Sequence, residues 1–195
     1  MKINIRRAAL IVSALAFALC LAACKDKAPE ETTAEVTEAP EQTIETVVDE
    51  YGILQHEYCY EGDELKYSVD YLYDEKTGTV SKIMFEGKKD EEGNSILIQS
   101  ERYEVNELGN LKYYCMKDSR NQLITETKKS YHGDLSTVWT ETVINYDGRG
   151  SFTAEKKVYD KDGRLTDLYT YEGNEEKSHT VYTYDKDGNR IEAAQ

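Results

Sequence analysis

The chain has 195 residues with 38 acidic and 24 basic side chains, which give it a formal net charge of −14 at pH 7. This acidity excludes nucleic acid as a partner, because nucleic acids are bound by basic patches, and it disfavours docking on anionic lipid headgroups. The composition includes 16 tyrosines but only 2 prolines. Tyrosine is enriched in β-strands and proline interrupts them, so the composition favours a β-sheet protein.

Residues 1–23 have the three parts of a secretory signal peptide. Lys2, Arg6 and Arg7 form a charged start, an apolar run follows, and small residues stand before Cys24. The four residues Leu21–Cys24 resemble the lipobox of bacterial lipoproteins. The resemblance implies that the signal peptide is removed, that Cys24 carries the lipid, and that the protein is held at the cell membrane on its extracytoplasmic side.

The alternative for this segment is an uncleaved transmembrane helix. The apolar stretch from Ala8 to Ala23 has about 16 residues, whereas a helix needs roughly 20 to cross the hydrocarbon layer. Acyl chains on a cysteine contribute about 0.8 kcal/mol per buried CH₂, and two or more of them anchor a protein stably. We therefore expect the membrane to be a partner through a lipid anchor.

The segment from residue 24 to residue 50 is rich in Glu, Thr, Ala and Pro. Such a composition buries too little apolar surface to order itself, so it predicts a disordered acidic tether. Its last residues also allow a short helix, with Thr43 as N-cap, Gly52 as stop, and apolar side chains at helical spacing: Ile44, Val47, Val48 and Tyr51.

Residues 51–195 form the predicted folded domain, where tyrosines recur in pairs two residues apart. The pairs are Tyr58/Tyr60, Tyr71/Tyr73, Tyr169/Tyr171 and Tyr182/Tyr184. A period of two indicates strands, and Gly, Asp and Asn clusters at intervals of about a dozen residues indicate turns between them. We predict an all-β antiparallel meander that is either rolled or folded into two layers.

Two units near the end of the chain, at 159–165 (YDKDGRL) and 184–191 (YDKDGNRI), carry a family resemblance. They resemble the YD repeats of bacterial RHS-type proteins, whose core is Tyr-Asp-x-x-Gly-Arg/Asn-Leu/Ile, with a partial copy at Tyr146. The resemblance covers only 145–191, and it implies β-hairpins. In the family such hairpins enclose toxin domains, for which this chain is too short, so no delivery function is expected.

The same units predict a strand register if each Asp-x-x-Gly is a four-residue hairpin loop. The loop at 160–163 then places Lys156 opposite Asp167, and the loop at 147–150 places Lys156 opposite Glu141 and Trp139 opposite Val158. In this register Trp139, Tyr169 and Tyr171 share one face, and a further hairpin places Tyr182 opposite Tyr169.

The chain gives little indication of chemistry. Asp185–Asn189 resembles a calcium loop only superficially, because its glycine is fourth rather than sixth, and turn formation explains its aspartates. His56, His132 and His179 have no metal-ligand spacing, and there is no catalytic motif, so no metal, cofactor or catalytic residue is predicted. Cys59 and Cys115 alternate with different kinds of residue, which disfavours a disulfide between them without excluding one.

The aromatic stripe of Trp139, Tyr169, Tyr171 and Tyr182 has two interpretations. It packs as core against a second sheet, built from residues 53–131, or part of it stays open as a ligand site. We expect a non-catalytic binding or structural module that contacts an envelope glycan or protein. The alternative is a hydrolase of envelope polymers, which a cleft with two facing carboxylates would favour.

Overall fold

A computed structural model describes residues 41–191, which form strands joined by short loops. The main sheet consists of β1 (Gln42–Val48), β2 (Leu54–Glu61), β3 (Glu64–Asp74), β4 (Thr79–Lys89), β5 (Ser95–Val105), β6 (Leu111–Asp118), β7 (Leu123–Tyr131), β8 (Val138–Tyr146), β9 (Phe152–Tyr159), β10 (Leu165–Glu172) and β11 (Glu175–Val181). A separate two-stranded ribbon follows, with β12 (Thr183–Tyr184) and β13 (Arg190–Ile191). Within residues 41–191 there is no helix long and apolar enough to cross a membrane.

The strand order of the main sheet is the order of the chain, from β1 at one edge to β11 at the other. Every neighbouring pair is antiparallel, which confirms the predicted all-β antiparallel meander. The strands of residues 54–131 and those of residues 138–181 belong to this one sheet. The earlier strands therefore do not form a separate sheet that faces the aromatic residues of the later ones.

The predicted short helix near residue 44 is wrong. Residues 42–48 form β1, which pairs with β2 from Gln42 opposite Glu61 to Val47 opposite His56. The β-branched residues of this segment fit a strand, and β2 supplies the backbone partners that a sequence pattern does not reveal. The end of the predicted tether is thus the edge strand of the sheet. The predicted signal peptide, the predicted lipid site Cys24 and the predicted tether up to residue 40 lie outside the described residues.

One face of the sheet, here called the core face, carries the buried apolar cluster. Val69, Tyr71 and Val80 are at most 2% exposed, and Tyr103 packs with them. Cross-strand pairing places these side chains on one face, because Tyr73 lies opposite Val80 and Val80 lies opposite Tyr103. The opposite side of the sheet is here called the outer face.

A buried polar network lies beside this cluster on the core face. Lys82 lies opposite Glu101, with 3.8 Å between its Nζ and the nearer carboxylate oxygen, and both side chains are almost fully buried. The Tyr103 hydroxyl and the Gln99 amide also donate to Glu101. Glu101 therefore has a positive charge and two hydrogen-bond donors around it, as a buried carboxylate requires.

Cys59 and Cys115 are both buried and both free. Cys59 lies on the core face opposite Tyr67, whereas Cys115 lies opposite Arg102 on the outer face. They are on β2 and β6, four strands apart, and adjacent strands are spaced about 4.8 Å. A disulfide needs Cα atoms within about 7 Å, so the alternative of a bridge between them is wrong.

Most hairpin loops begin with an Asp or Asn whose side chain closes the loop. Its Oδ1 accepts the backbone N–H groups two and four residues later, as in Asp160 with Asp162 and Arg164, both at 2.9 Å. The residue three positions after it has positive φ and is glycine except at Asn121. The same arrangement occurs at Asp49, Asp90, Asn106, Asp118, Asp147, Asp160 and Asp185.

This loop is one residue longer than the four residues assumed from the sequence. The Asp160 N–H donates to the Arg164 carbonyl at 2.9 Å, so Arg164 still belongs to the loop and Tyr159 pairs with Leu165. It is a turn followed by a glycine bulge, which is a common hairpin connection. The loop after Asp147 closes in the same way, and Tyr146 pairs with Phe152.

The predicted register is therefore wrong. Lys157, not Lys156, lies opposite Glu141, and Lys156 lies between Thr142 and Tyr169. Val158 lies opposite Thr140 rather than Trp139. A slip of one residue reverses the face of every side chain in a strand, and so the predicted charged row does not form.

Replacing Lys82 with methionine is expected to destabilise the protein by about 3 kcal/mol, because Glu101 would stay buried without its positive charge. Urea unfolding measures this change. Arg102→Met is the matched control on the neighbouring strand, since Arg102 pairs with Glu104 at a half-exposed site and should cost less than about 1 kcal/mol. Equal losses in the two variants would contradict the buried-pair interpretation.

Leu135→Gly is expected to stabilise the protein by about 1 kcal/mol, because a leucine in the left-handed region is strained. Leu135 has φ 57° and is partly exposed, so little apolar contact is lost. The comparison is Leu108→Gly, an exposed loop leucine without positive φ, which should be destabilising. Thermal unfolding of both variants checks the sign, and a loss of stability in Leu135→Gly would refute the strain.

Candidate functional site

The core face has an open depression where β7, β8 and β9 meet the loop after β9. Its volume is about 450 Å³, which is within the range of small-molecule sites. Strand alternation brings Lys129, Glu141 and Tyr159 to this face, and the remaining lining comes from two loops and the start of β8. The lining residues are Lys129, Thr137, Val138, Glu141, Tyr159, Asp162 and Gly163.

The charges of the depression are already paired. Lys129 Nζ lies 2.8 Å from Glu141 Oε1, and Arg164 binds Asp162 at 2.5 Å. Burial alone would raise the pKa of Glu141, but the Lys129 ammonium and the Tyr159 hydroxyl outweigh it and hold that pKa below its usual range. Burial and the Glu141 carboxylate raise the pKa of Tyr159. Glu141 is therefore a carboxylate and Tyr159 a neutral hydroxyl at neutral pH.

Trp139 does not line the depression but stands beside it, next to the lining residue Val138 and two positions from Glu141 on β8. Its side chain is half exposed, at 52%. The His132 ring lies 6.2 Å from the indole, and His132 Nε2 is 3.2 Å from the Tyr159 carbonyl oxygen. His132 thus connects the tryptophan to the wall of the depression, so an apolar ring surface borders a set of polar groups.

Tyr169 and Tyr171 lie on the outer face, not on the face of Trp139. Tyr169 pairs with Lys156, which pairs with Thr142, whereas Glu141 and Trp139 alternate with Thr142. The prediction that all four aromatic residues share one face is therefore wrong. It failed because it depended on the four-residue loops.

The outer-face tyrosines form a stack with a histidine of β11. The Tyr169 and His179 rings are nearly parallel, with their centroids 4.0 Å apart, and Tyr171 stacks at 6.5 Å on the same side of the sheet. His179 Nε2 contacts Asp167 Oδ1 at 2.9 Å. One face of the Tyr169 ring is thus already covered by His179.

Tyr182 lies just beyond β11 and does not face Tyr169, whose partner on that strand is His179. Its N–H donates to the Thr166 carbonyl at 2.8 Å, and the Arg190 guanidinium lies 4.0 Å from its ring centroid. Of the four predicted site residues, only Trp139 borders the depression. Lys129, His132, Glu141 and Tyr159 were not predicted, because their proximity depends on the register.

A second set of hydrogen-bonded tyrosines occupies the outer face near β7. Glu126 is almost fully buried and accepts the Tyr113 hydroxyl at 2.6 Å and the Tyr146 hydroxyl at 2.5 Å. Burial opposes its ionisation, but these two donors and Lys128 hold the pKa of Glu126 below its usual range. Both oxygens are occupied, so the arrangement is structural. In the described part of the chain, no group of three or more His, Cys, Asp or Glu side chains could hold a metal ion.

Comparison with known proteins does not assign the chain to a family. No protein-family model matches it, and no curated protein matches it. A protein of unknown function from Bacteroides fragilis is similar in structure over 73% of this chain and 92% of that chain, with 8% sequence identity and a TM-score of 0.34. A likeness at that TM-score is too remote to bear on fold or function.

Proposed function

We propose that this chain is a surface lipoprotein whose β domain is a non-catalytic binding module for an envelope glycan. Leu21–Cys24 supports the anchoring part, because small residues and a cysteine follow a charged and apolar leader. Cys24 is the lipid-bearing residue, and the protein faces the extracytoplasmic side of the cell membrane. This proposed role involves no cofactor and no nucleic acid, which an acidic chain would repel.

The observation that supports glycan binding is the half-exposed Trp139 beside the depression. An indole offers a flat apolar surface to the C–H groups of a sugar ring, while its neighbours offer hydrogen bonds to hydroxyl groups. Glu141 supplies acceptor oxygens, and the hydroxyls of Tyr159 and Thr137, which donate their own protons to Glu141 and Asp134, also accept hydrogen bonds from a ligand. Because the charges around the depression are internally paired, a neutral saccharide suits it better than a charged ligand.

Electrostatics disfavour the alternative of a hydrolase at this place. A general acid needs a raised carboxyl pKa, whereas the pKa of Glu141 is lowered by Lys129 and Tyr159. The second carboxylate, Asp162, is engaged by Arg164 at the surface. A carboxylate that stays ionised and paired orients a ligand by accepting hydrogen bonds, which is a binding role.

Trp139→Ala is expected to weaken binding to cell-wall polysaccharide from the producing cells by about tenfold, equivalent to about 1.4 kcal/mol of lost stacking. Pull-down of the full-length protein with insoluble polysaccharide measures it. The control is Tyr51→Ala, which removes another exposed aromatic side chain, 66% exposed, in the loop between β1 and β2.

Tyr171→Ala and Tyr182→Ala test the outer face and the end of β11 in the same assay. Both variants should bind as the parent protein does if the depression is the site. Binding that survives Trp139→Ala but is lost in Tyr171→Ala would move the site to the outer face. Polysaccharide released as shorter fragments by the parent protein would favour the hydrolase instead.

Cys24→Ala is expected to abolish incorporation of a fatty-acid analogue, because Cys24 is the cysteine of the lipobox-like segment. The matched control is Cys20→Ala, four residues earlier inside the apolar run, which should leave labelling intact. Labelled protein in cells that express Cys24→Ala would disprove the assignment.

A further inference from the structure

The two edges of the main sheet differ in how they are protected against a further strand. All seven residues of β1 and of β11 are exposed. The edge strand β11 carries Glu175, Glu176, Lys177 and His179, and charged side chains are the usual protection of an edge. The edge strand β1 has the sequence QTIETVV, with a single charged residue, Glu45. An unprotected edge of this kind is a template for strand addition.

Alternate residues of β1 direct their backbone N–H and C=O groups away from β2. Glu41 accepts the Gly62 N–H on the β2 side, and the Asp49 N–H donates to the Ile53 carbonyl on that side. Antiparallel strands alternate between inward and outward pairs, so odd-numbered residues of β1 bond to β2. Gln42, Ile44, Thr46 and Val48 therefore direct their N–H and C=O groups outwards, and no described strand pairs with them.

The side chains at the open edge extend the core face. Ile44 lies opposite Cys59, which lies opposite Tyr67, and Thr46 lies opposite Glu57, which lies opposite Val69. Cys59 and Val69 are at most 1% exposed, whereas Ile44 is 49% exposed. The cross-strand rows of core-face side chains thus end at β1, where no further described strand covers Ile44.

We propose that β1 pairs with β1 of a second copy of this chain, antiparallel and centred on Thr46. The charges of β1 favour this register. A register centred on Glu45 places the two Glu45 side chains opposite each other, and one centred on Val47 places Glu45 opposite Asp49 of the second copy. Like charges that face each other directly are destabilising.

Centring on Thr46 avoids both repulsive pairs. Ile44 then lies opposite Val48 of the second copy, on both sides of the two-fold axis, and the two Thr46 residues face each other. These are residues with outward backbone groups, so each pair exchanges two N–H···O=C bonds. A register centred on Ile44 also avoids the charge clash, but it leaves Val48 without an apolar partner in the described residues.

The surface is self-complementary, which is the condition for a closed two-fold interface rather than an open filament. Pairing of β1 with β11 of another copy would generate a filament. It would also place Glu45 against a strand that carries the charged residues Glu175, Glu176 and Lys177. The interface at β1 lies six strands from β7, the nearest strand of the depression, and the proposal does not depend on glycan binding or on the lipid.

The experiment is disulfide trapping with the full-length chain in cells. Two cysteines on the axis would have Cα atoms about 5.5 Å apart, a separation that a disulfide spans. With Thr46→Cys we expect most of the protein to become a covalent dimer on a non-reducing gel after mild oxidation. The matched control is Thr43→Cys, another exposed threonine of β1, which lies opposite Asp49 of the second copy and should stay monomeric.

A second pair of variants checks the register without a disulfide on the axis. Cells that express Ile44→Cys together with Val48→Cys should form the dimer, whereas either variant alone should not. Thr46→Pro removes an outward N–H but no bond to β2, so it should abolish dimers captured by a lysine cross-linker while protease resistance is kept.

Three results would overturn the proposal. The first is a Thr46→Cys protein that stays monomeric, as it would if residues before Glu41 or a different protein covered the edge. The second is equal dimer formation by Thr43→Cys, which would indicate random collision. The third is unchanged cross-linking of a folded Thr46→Pro variant. None of these measurements involves polysaccharide, so they are independent of the binding experiment.

Discussion

The hydrogen bonds accepted by the first side chain of most hairpin loops determine the geometry of this sheet. An Asp or Asn oxygen receives two backbone N–H groups, at the second and fourth following residues, and so fixes where the returning strand begins. These bonds form within a few residues of chain and cost little conformational entropy, and a glycine supplies the left-handed conformation that the turn requires. The loops thus define the strand register locally, before any packing contact is made.

The register in turn decides which side chains meet. Because Tyr146 pairs with Phe152 and Lys129 pairs with Glu141, Tyr159 and Lys129 reach the core face on either side of Glu141, and the depression forms there. The same loops send Tyr169 and Tyr171 to the outer face, where His179 stacks on Tyr169. On the other half of the core face, the buried pair of Lys82 and Glu101 favours one register of β4 against β5, since only one register pairs the two charges.

The fold class could be predicted from the sequence because its signals are local. Tyrosine pairs at a period of two and turn residues at regular intervals indicate antiparallel hairpins whatever their exact alignment. The register could not be predicted, since Asp-x-x-Gly closes either a four-residue loop or a turn with a glycine bulge, and one residue separates a shared face from opposite faces. Trp139 was recognised as a site residue by its own chemistry, but Lys129, Glu141 and Tyr159 lie on three strands and meet only in the correct register. Residues 42–48 were ambiguous for a different reason: their partner, β2, determines that they form a strand.

The strands lie in the sheet in the same order as in the chain, so the protein can assemble one hairpin at a time. Each strand bonds only to its neighbours in sequence, so the free energy is close to a sum of nearest-neighbour terms, as in a repeat protein. Contacts of this kind are short-range in sequence, which favours fast folding for a β protein. A chain synthesised from its N-terminus adds each hairpin to an existing edge and never inserts a strand between two others. Insertion or loss of whole hairpins after β11 would therefore change the length of the sheet without rearranging the buried cluster between β2 and β5.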